Sequence, residues 1–308
     1  MSGEKSVAGD KHFTTLELGD FRGFTRLKLD GLKRVSLVVG KNNVGKTSLL
    51  EGVALACDPQ LLNSLPGLLR ASSGDQQRRF FPWLVRDGAP AAAILTVSSA
   101  TRTLTTSIDR HGPMIFTEEL QPWGSCRLIS VQMHSPDDVV RLYSLATRKR
   151  SGEEQIQSLF KRIDGRVRKV RVVVEPDGSH ILVDLGLSEM IPLSQAGQGL
   201  YRLLVVLSEL IGETPDVCLL DEIENGLHYS AYEDVWAGLA QATDEMGVQL
   251  IATTHSRECL EAAHRAFSAR PTYDLSVVQL FRIESGIEGR VLDDKMVAAA
   301  LAGDIDLR

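Results

Sequence analysis

The sequence predicts an α/β protein, a mixed sheet flanked by helices and joined to a second, α+β lobe. Three observations predict it. Short apolar runs stop abruptly at chemically active residues after Val39, Leu220 and Thr254, as buried strands do at the edge of a sheet where ligands collect. The first of these runs passes through a glycine-rich loop straight into a helical stretch. A second glycine-containing loop, Pro192–Leu200, leads into leucines at helical spacing.

Composition bounds the reading. A chain of 308 residues with 43% hydrophobic and 24% charged residues suits one large two-lobed unit rather than several small domains. The net charge of −6 argues against a surface uniformly built for nucleic acid. No apolar run approaches the length of a membrane span, and Met1–Lys11 is polar with no apolar core, so the expected location is cytoplasmic with no membrane partner. Cys57, Cys126, Cys218 and Cys259 are widely spaced, form no metal-binding pattern and sit mostly in apolar segments, which reads as buried free thiols.

Along the chain, residues 1–11 read as a disordered tail. Residues 12–131 and 213–308, which hold those three strand ends, are expected to form one lobe, and residues 132–212 the second. The first lobe begins with early strands, then the strand 34–39, a helix over 48–56 and a hairpin from Ala93–Val97 and Leu104–Ile108; the proline- and arginine-rich stretch Ser72–Pro90 reads as an exposed insertion. The second lobe opens at Ser135-Pro-Asp-Asp, where Asp137 or Asp138 is expected to cap a helix. A hairpin follows from Val170–Val174 and Ile181–Leu185 around Pro176-Asp-Gly178, and the chain closes with a hairpin over Leu275–Val291.

The loop Gly40-Lys41-Asn42-Asn43-Val44-Gly45-Lys46-Thr47 meets every position of the phosphate-binding P-loop pattern, between a strand and a helix as that pattern requires. Gly40 and Gly45 allow the tight turn that points the amides of Asn42, Asn43, Val44 and the first helical residues through Ser48 at phosphate oxygens, and the helix N-terminus favours an anion. Lys46 would reach the β- and γ-phosphates of ATP, and the Thr47 hydroxyl would hold Mg2+. Downstream, Val217–Glu224 is a buried strand ending in acids: Asp221 is placed to bind magnesium through water, and Glu222 to orient and deprotonate an attacking water. Glu224 reads equally as a supporting acid or as a cap. At the end of Val248–Thr254, His255 emerges at the same edge, placed to hydrogen-bond a γ-phosphate and sense its loss. Ser194, Gly197 and Gly199 precede a helix N-terminus and offer either a second anion-binding surface or an ordinary loop capped by Ser194 or Gln198.

In this order the four elements resemble the ABC-type AAA-family ATPases, in the branch that contains RecF, SMC and OLD-family proteins. Leu16–Phe24 looks like the opening of that branch, and Asp221–His228 with Thr253–Ser256 looks like its standalone bacterial ATPases. The resemblance spans nearly the whole chain. It implies a P-loop NTPase of the ABC-head type whose second lobe carries a signature-like loop. It also implies a homodimer with ATP at the interface, in which Ser194, Gly197 and Gly199 face the partner copy's γ-phosphate. The loop departs from the usual signature by one additional residue between Ser194 and Gln198, and that glutamine lies between two glycines. Gln132, at the end of the strand Arg127–Gln132, takes the place of the glutamine that joins the lobes and touches magnesium. Phe21, Arg22 and Phe24 would contact base or phosphates, or else pack in the core.

The expected function is ATP hydrolysis driving a dimerisation switch in DNA maintenance or anti-phage defence, with a separate effector protein. The alternative is a nucleotide-gated scaffold that binds a partner without hydrolysis. OLD-type nucleases carry a TOPRIM domain; only about fifty residues follow His255 here, with no second acidic cluster, so nuclease activity is not expected. Residues 141–171 hold ten Lys or Arg against three acids, a stretch that reads either as a nucleic-acid contact or as a solvated helix and a charge-guarded edge strand.

Overall fold

A computed structural model describes residues 12–63, 83–89, 92–110, 115–117, 121–130, 135–176 and 178–307. Met1–Lys11 and Gln132 lie outside the described residues, as does most of the Ser72–Pro90 stretch. At its described end Trp83, Asp87 and Gly88 are exposed, while Leu84 and Val85 are buried, with Val85 bridged to Phe21.

The central layer is a six-stranded sheet. Its strands are β3 (Val35–Val39), β7 (Cys126–Ile129), β11 (Val217–Leu220), β12 (Gln249–Thr253), β13 (Leu275–Ile283) and β14 (Gly286–Leu292), in the order β14-β13-β3-β12-β11-β7. All neighbours are parallel except the β13–β14 hairpin. A second sheet is antiparallel, with β1 (Thr15–Phe21), β2 (Phe24–Asp30), β4 (Ala92–Ser98), β5 (Thr103–Asp109) and β6 (Ile115–Thr117) in the order β2-β1-β4-β5-β6. The third is the small antiparallel sheet β10-β9-β8, from β8 (Lys169–Glu175), β9 (Gly178–Asp184) and β10 (Ile191–Pro192). The three expected hairpins are β4–β5, β8–β9 and β13–β14.

Alternation along the central strands divides the core in two, because successive side chains of a strand point to opposite faces. Leu37, Cys218, Leu220, Leu250 and Val277 face one buried cluster, and Val38, Val217, Leu219, Ile251 and Val278 face the other. The second cluster is roofed by the antiparallel sheet, with helix α1 (Lys46–Cys57) between the two sheets. Every residue from Leu49 to Cys57 is buried there, the charged Glu51 among them, so nearly the whole circumference of the helix is covered.

The first cluster is covered by α2 (Pro136–Thr147), α3 (Gly152–Ile163), the short α4 (Leu193–Ala196), α5 (Gln198–Ser208), α6 (Tyr232–Met246), α7 (Arg257–Ser268) and α8 (Asp294–Ala302). Helix α5 runs on into a π-helical turn, Glu209–Glu213, that contains Leu210. Helix α2 is capped by Ser135, whose hydroxyl accepts the Asp138 amide at 3.2 Å, and not by Asp137 or Asp138, which occupy its first turn. Pro136 at the first helical position makes Ser135 the last residue free to adopt the extended cap conformation.

All four cysteines are free and buried. Among the described residues no helix is long and apolar enough to cross a membrane.

Candidate functional site

Strand β3 is buried at all five positions and delivers the chain to Gly40 at the sheet edge. Gly40 has φ of +153°, and a Cβ there would stand 2.6 Å from the Leu280 carbonyl of β13, so no larger residue fits between the loop and the neighbouring strand. Val44 is buried and anchors the loop in the core, while Lys41, Asn42 and Asn43 are exposed. Gly45 is the N-cap of α1 and brings no side-chain acceptor, so the first-turn amides of Lys46, Thr47 and Ser48 point out of the helix towards the loop's interior. The Lys46 ammonium donates to the carbonyls of Gly40 at 2.7 Å and Lys41 at 3.1 Å. Burial pushes its pKa down, opposed by the fields of Glu224, Asp221 and Glu222.

The ends of β11 and β12 meet this loop. Thr47 donates to Asp221 Oδ2 at 3.0 Å, and Thr253 donates to Asp221 Oδ1 at 2.6 Å while accepting the Glu222 amide at 2.8 Å. Both oxygens of the Asp221 carboxylate are therefore aimed before any ligand arrives. Glu222 has φ of +48°, a left-handed conformation rare for a non-glycine residue, and is partly exposed. From α5, Arg202 donates to the Asp221 carbonyl. Burial lowers the pKa of its guanidinium, with Asp221, Glu222 and Glu224 opposing. The Glu224 carboxylate is buried and touches His255, whose ring is half exposed: its Oε1 accepts the His255 amide at 2.8 Å and lies 2.9 Å from Nδ1.

The signature-like loop sits beside this edge. Ser194, Gly197 and Gln198 are exposed, and neither Ser194 nor Gln198 caps a helix. Gly199 is buried against the turn that follows β11: a Cβ there would come within 2.3 Å of the Gly226 carbonyl. Among the described residues no hydrogen bond joins Ser194, Gly197 or Gly199 to the Gly40–Ser48 loop of the same chain. Phe21 and Phe24 are fully buried, and Arg22 pairs with Glu51 of α1 through Nε at 2.8 Å, so this triplet supports the helix behind the loop.

Thr253, Arg202 and Glu51 were not singled out from the sequence as site residues. Thr253 follows from parallel register, since Leu220 pairs with Ala252 and the next residues, Asp221 and Thr253, fall side by side. A lone arginine in a leucine-rich helix and a glutamate after a P-loop carry no comparable signal.

The donor set fits a nucleoside triphosphate with magnesium. Loop and helix amides with an ammonium suit phosphate oxygens, and one hydroxyl beside one aimed carboxylate suits a cation that keeps waters and shares phosphate ligands. Among the described residues no cluster of three or more His, Cys, Asp or Glu could hold a metal by protein ligands alone.

The fold has counterparts among known proteins. The fold matches an SMC head domain bound to the C-winged helix domain of ScpA, with a TM-score of 0.59 and 12% identity, covering 92% of this chain and 98% of that one. It matches an SMC head domain with an extended coiled coil, bound to the C-terminal domain of ScpA derived from Pyrococcus furiosus, with a TM-score of 0.63, 11% identity and coverage of 96% and 100%. It also matches the SMC head domain from Thermotoga maritima, with a TM-score of 0.52, 14% identity and coverage of 91% and 98%. A 41-residue segment is 44% identical to "Uncharacterized protein MJECL10" of Methanocaldococcus jannaschii; it covers 13% of this chain and 19% of that protein, about a fifth of the relative's length. Residues 97–261, more than half of the chain, match the family described as "AAA domain, putative AbiEii toxin, Type IV TA system". The chain belongs to that AAA-domain family, and its fold is that of the SMC head domains.

Proposed function

We propose that this chain binds ATP with magnesium and hydrolyses it, and that the nucleotide switches it between separate copies and a homodimer with ATP at the interface. The observation that carries the reading is the contact of Thr47 with Asp221, which joins the phosphate loop to the acidic strand end. Magnesium, when bound, supplies the positive charge that neutralises phosphate oxygens as the terminal phosphoryl group leaves. Thr47 and, through water, Asp221 would hold it, with Gln132, outside the described residues, as a third contact. Lys46 and the amides of residues 40–48 hold the phosphates. Glu222 takes a proton from water as that water's oxygen bonds to the terminal phosphorus and the bond to the ADP oxygen breaks. His255 faces the terminal phosphate, and Ser194, Gly197 and Gly199 face the nucleotide of the second copy.

The family's description as a toxin–antitoxin system supports a role in anti-phage defence, and the likeness to SMC heads supports DNA maintenance; either role works through a separate effector protein. Residues 141–171 are the segment for nucleic-acid contact, with Arg148, Arg150, Lys161, Arg162 and Arg171 exposed. Arg141 and Arg166 are already paired, with Glu213 and Asp164. The test is phosphate release with ATP and magnesium, comparing wild type and Glu222→Gln with and without DNA. Turnover lost in the variant supports hydrolysis. No turnover in wild type with ATP bound would replace it by the nucleotide-gated scaffold.

A further inference from the structure

Glu224 stands two residues beyond the acid that the sequence marks as the base, and it is this carboxylate that touches His255. Its side chain is 7% exposed against 50% for the histidine. One oxygen, Oε1, holds both the main-chain amide and the Nδ1 edge of His255. The other, Oε2, is buried with no hydrogen-bond partner among the described residues. A buried carboxylate oxygen left without a partner is rare away from working sites. Glu222 spends its own amide on Thr253 instead.

An ionised carboxylate only accepts, so the 2.9 Å contact places a proton on Nδ1 and leaves Nε2 as the ring atom facing outward. A buried acid that fixes the tautomer and orientation of an imidazole in this way does no chemistry itself, yet the histidine cannot work without it. Glu224 also heads the turn whose Gly226 lies against Gly199 of the signature-like loop, and Leu227 donates back to the Glu224 carbonyl at 3.0 Å.

We propose that Glu224 is the positioning residue of the site: it clamps His255 by amide and ring so that Nε2 is presented to the terminal phosphate, and it ties that histidine to the turn supporting the signature-like loop. This deepens the ATP reading and rests on His255 facing a phosphate.

The test has two arms, run on wild type, Glu224→Ala, Glu224→Gln, His255→Ala and the double variant Glu224→Ala/His255→Ala. Nitrogen NMR of the His255 ring in nucleotide-free protein reads the tautomer without requiring turnover. Wild type and Glu224→Gln, whose carbonyl still accepts, should carry the proton on Nδ1, and Glu224→Ala should move it to Nε2; identical tautomers in wild type and Glu224→Ala would overturn the proposal. In steady-state phosphate release, Glu224→Ala should lower kcat about tenfold to a hundredfold with KM for ATP nearly unchanged. Glu224→Gln should recover part of that loss, and Glu224→Ala should add nothing once His255 is alanine. An equal further loss in the His255→Ala background would sink the idea. If wild type does not hydrolyse ATP, the ATPase reading falls while the NMR arm still decides the role of Glu224.

Discussion

Thr47 donates a 3.0 Å hydrogen bond to Asp221, a residue 174 positions away along the chain. One is the first-turn residue of α1 and the other follows the last residue of β11, and Thr253 holds the second oxygen of the same carboxylate. The hydroxyl and the carboxylate that would share a cation are thus in place in the protein alone, and Thr47 can keep its proton on Asp221 while an oxygen lone pair faces the metal, so cation binding needs little rearrangement.

Lys46→Ala should abolish measurable binding of a fluorescent ATP analogue while the melting temperature stays close to wild type. The ammonium now rests on two backbone carbonyls, and burial lowers its pKa, so removing it costs the empty protein little. Loss of a charged partner to phosphate should weaken binding by about 2–5 kcal/mol. Tight binding by the variant would refute the assigned role.

Glu222→Gln should keep ATP affinity within a few fold and lose about 10²–10⁴ in turnover, the usual contribution of a positioned general base. With ATP and magnesium it should elute as a dimer in light-scattering chromatography. A monomer under saturating ATP would contradict the dimerisation switch.

Arg22→Ala should destabilise the fold by about 3–5 kcal/mol, because it strands the buried Glu51 carboxylate without its partner. Burial raises the pKa of Glu51, with Arg22 opposing and Asp221 adding to the rise. Relative to the unfolded chain, the stability linked to this raised pKa is fully present below about 4.5. It is lost as pH rises through the folded value. Denaturant midpoints measured across that acidic window should therefore show a dependence on pH that Glu51→Gln removes.

Gly199→Ala should slow turnover while leaving ATP binding to the phosphate loop intact. The new methyl group would meet the Gly226 carbonyl at 2.3 Å, so either the signature-like loop or the turn after β11 must shift, at a cost of about 1–3 kcal/mol. Wild-type kinetics in this variant would show that the contact between loop and turn is incidental.

Much of this arrangement was legible in the residues alone. The strand at 35–39, the glycine loop and α1 follow from local rules, since β-branched apolar runs, positive-φ glycines and a helix start are encoded within about twenty residues. The three hairpins were legible for the same reason, as their partners are close in sequence. The cap of α2 was misplaced by two or three residues because serine and aspartate are comparable caps, and only the extended backbone at Ser135 and Pro136 after it decide between them.

The sequence by itself determined which residues are candidates for the chemistry, because a phosphate loop, an acidic strand end and a histidine after a strand are local patterns of residue type and spacing. Only the tertiary structure decided who holds whom. Thr253 on the Asp221 carboxylate, Arg202 on its carbonyl, Glu51 on Arg22 and Glu224 on His255 are contacts between segments some 20 to 30 residues apart, set by parallel strand register and by helix placement over the sheet. Such pairings depend on burial and on distances that no local pattern records, so it is the tertiary structure that sets Glu224 against the histidine and leaves Glu222 partly exposed.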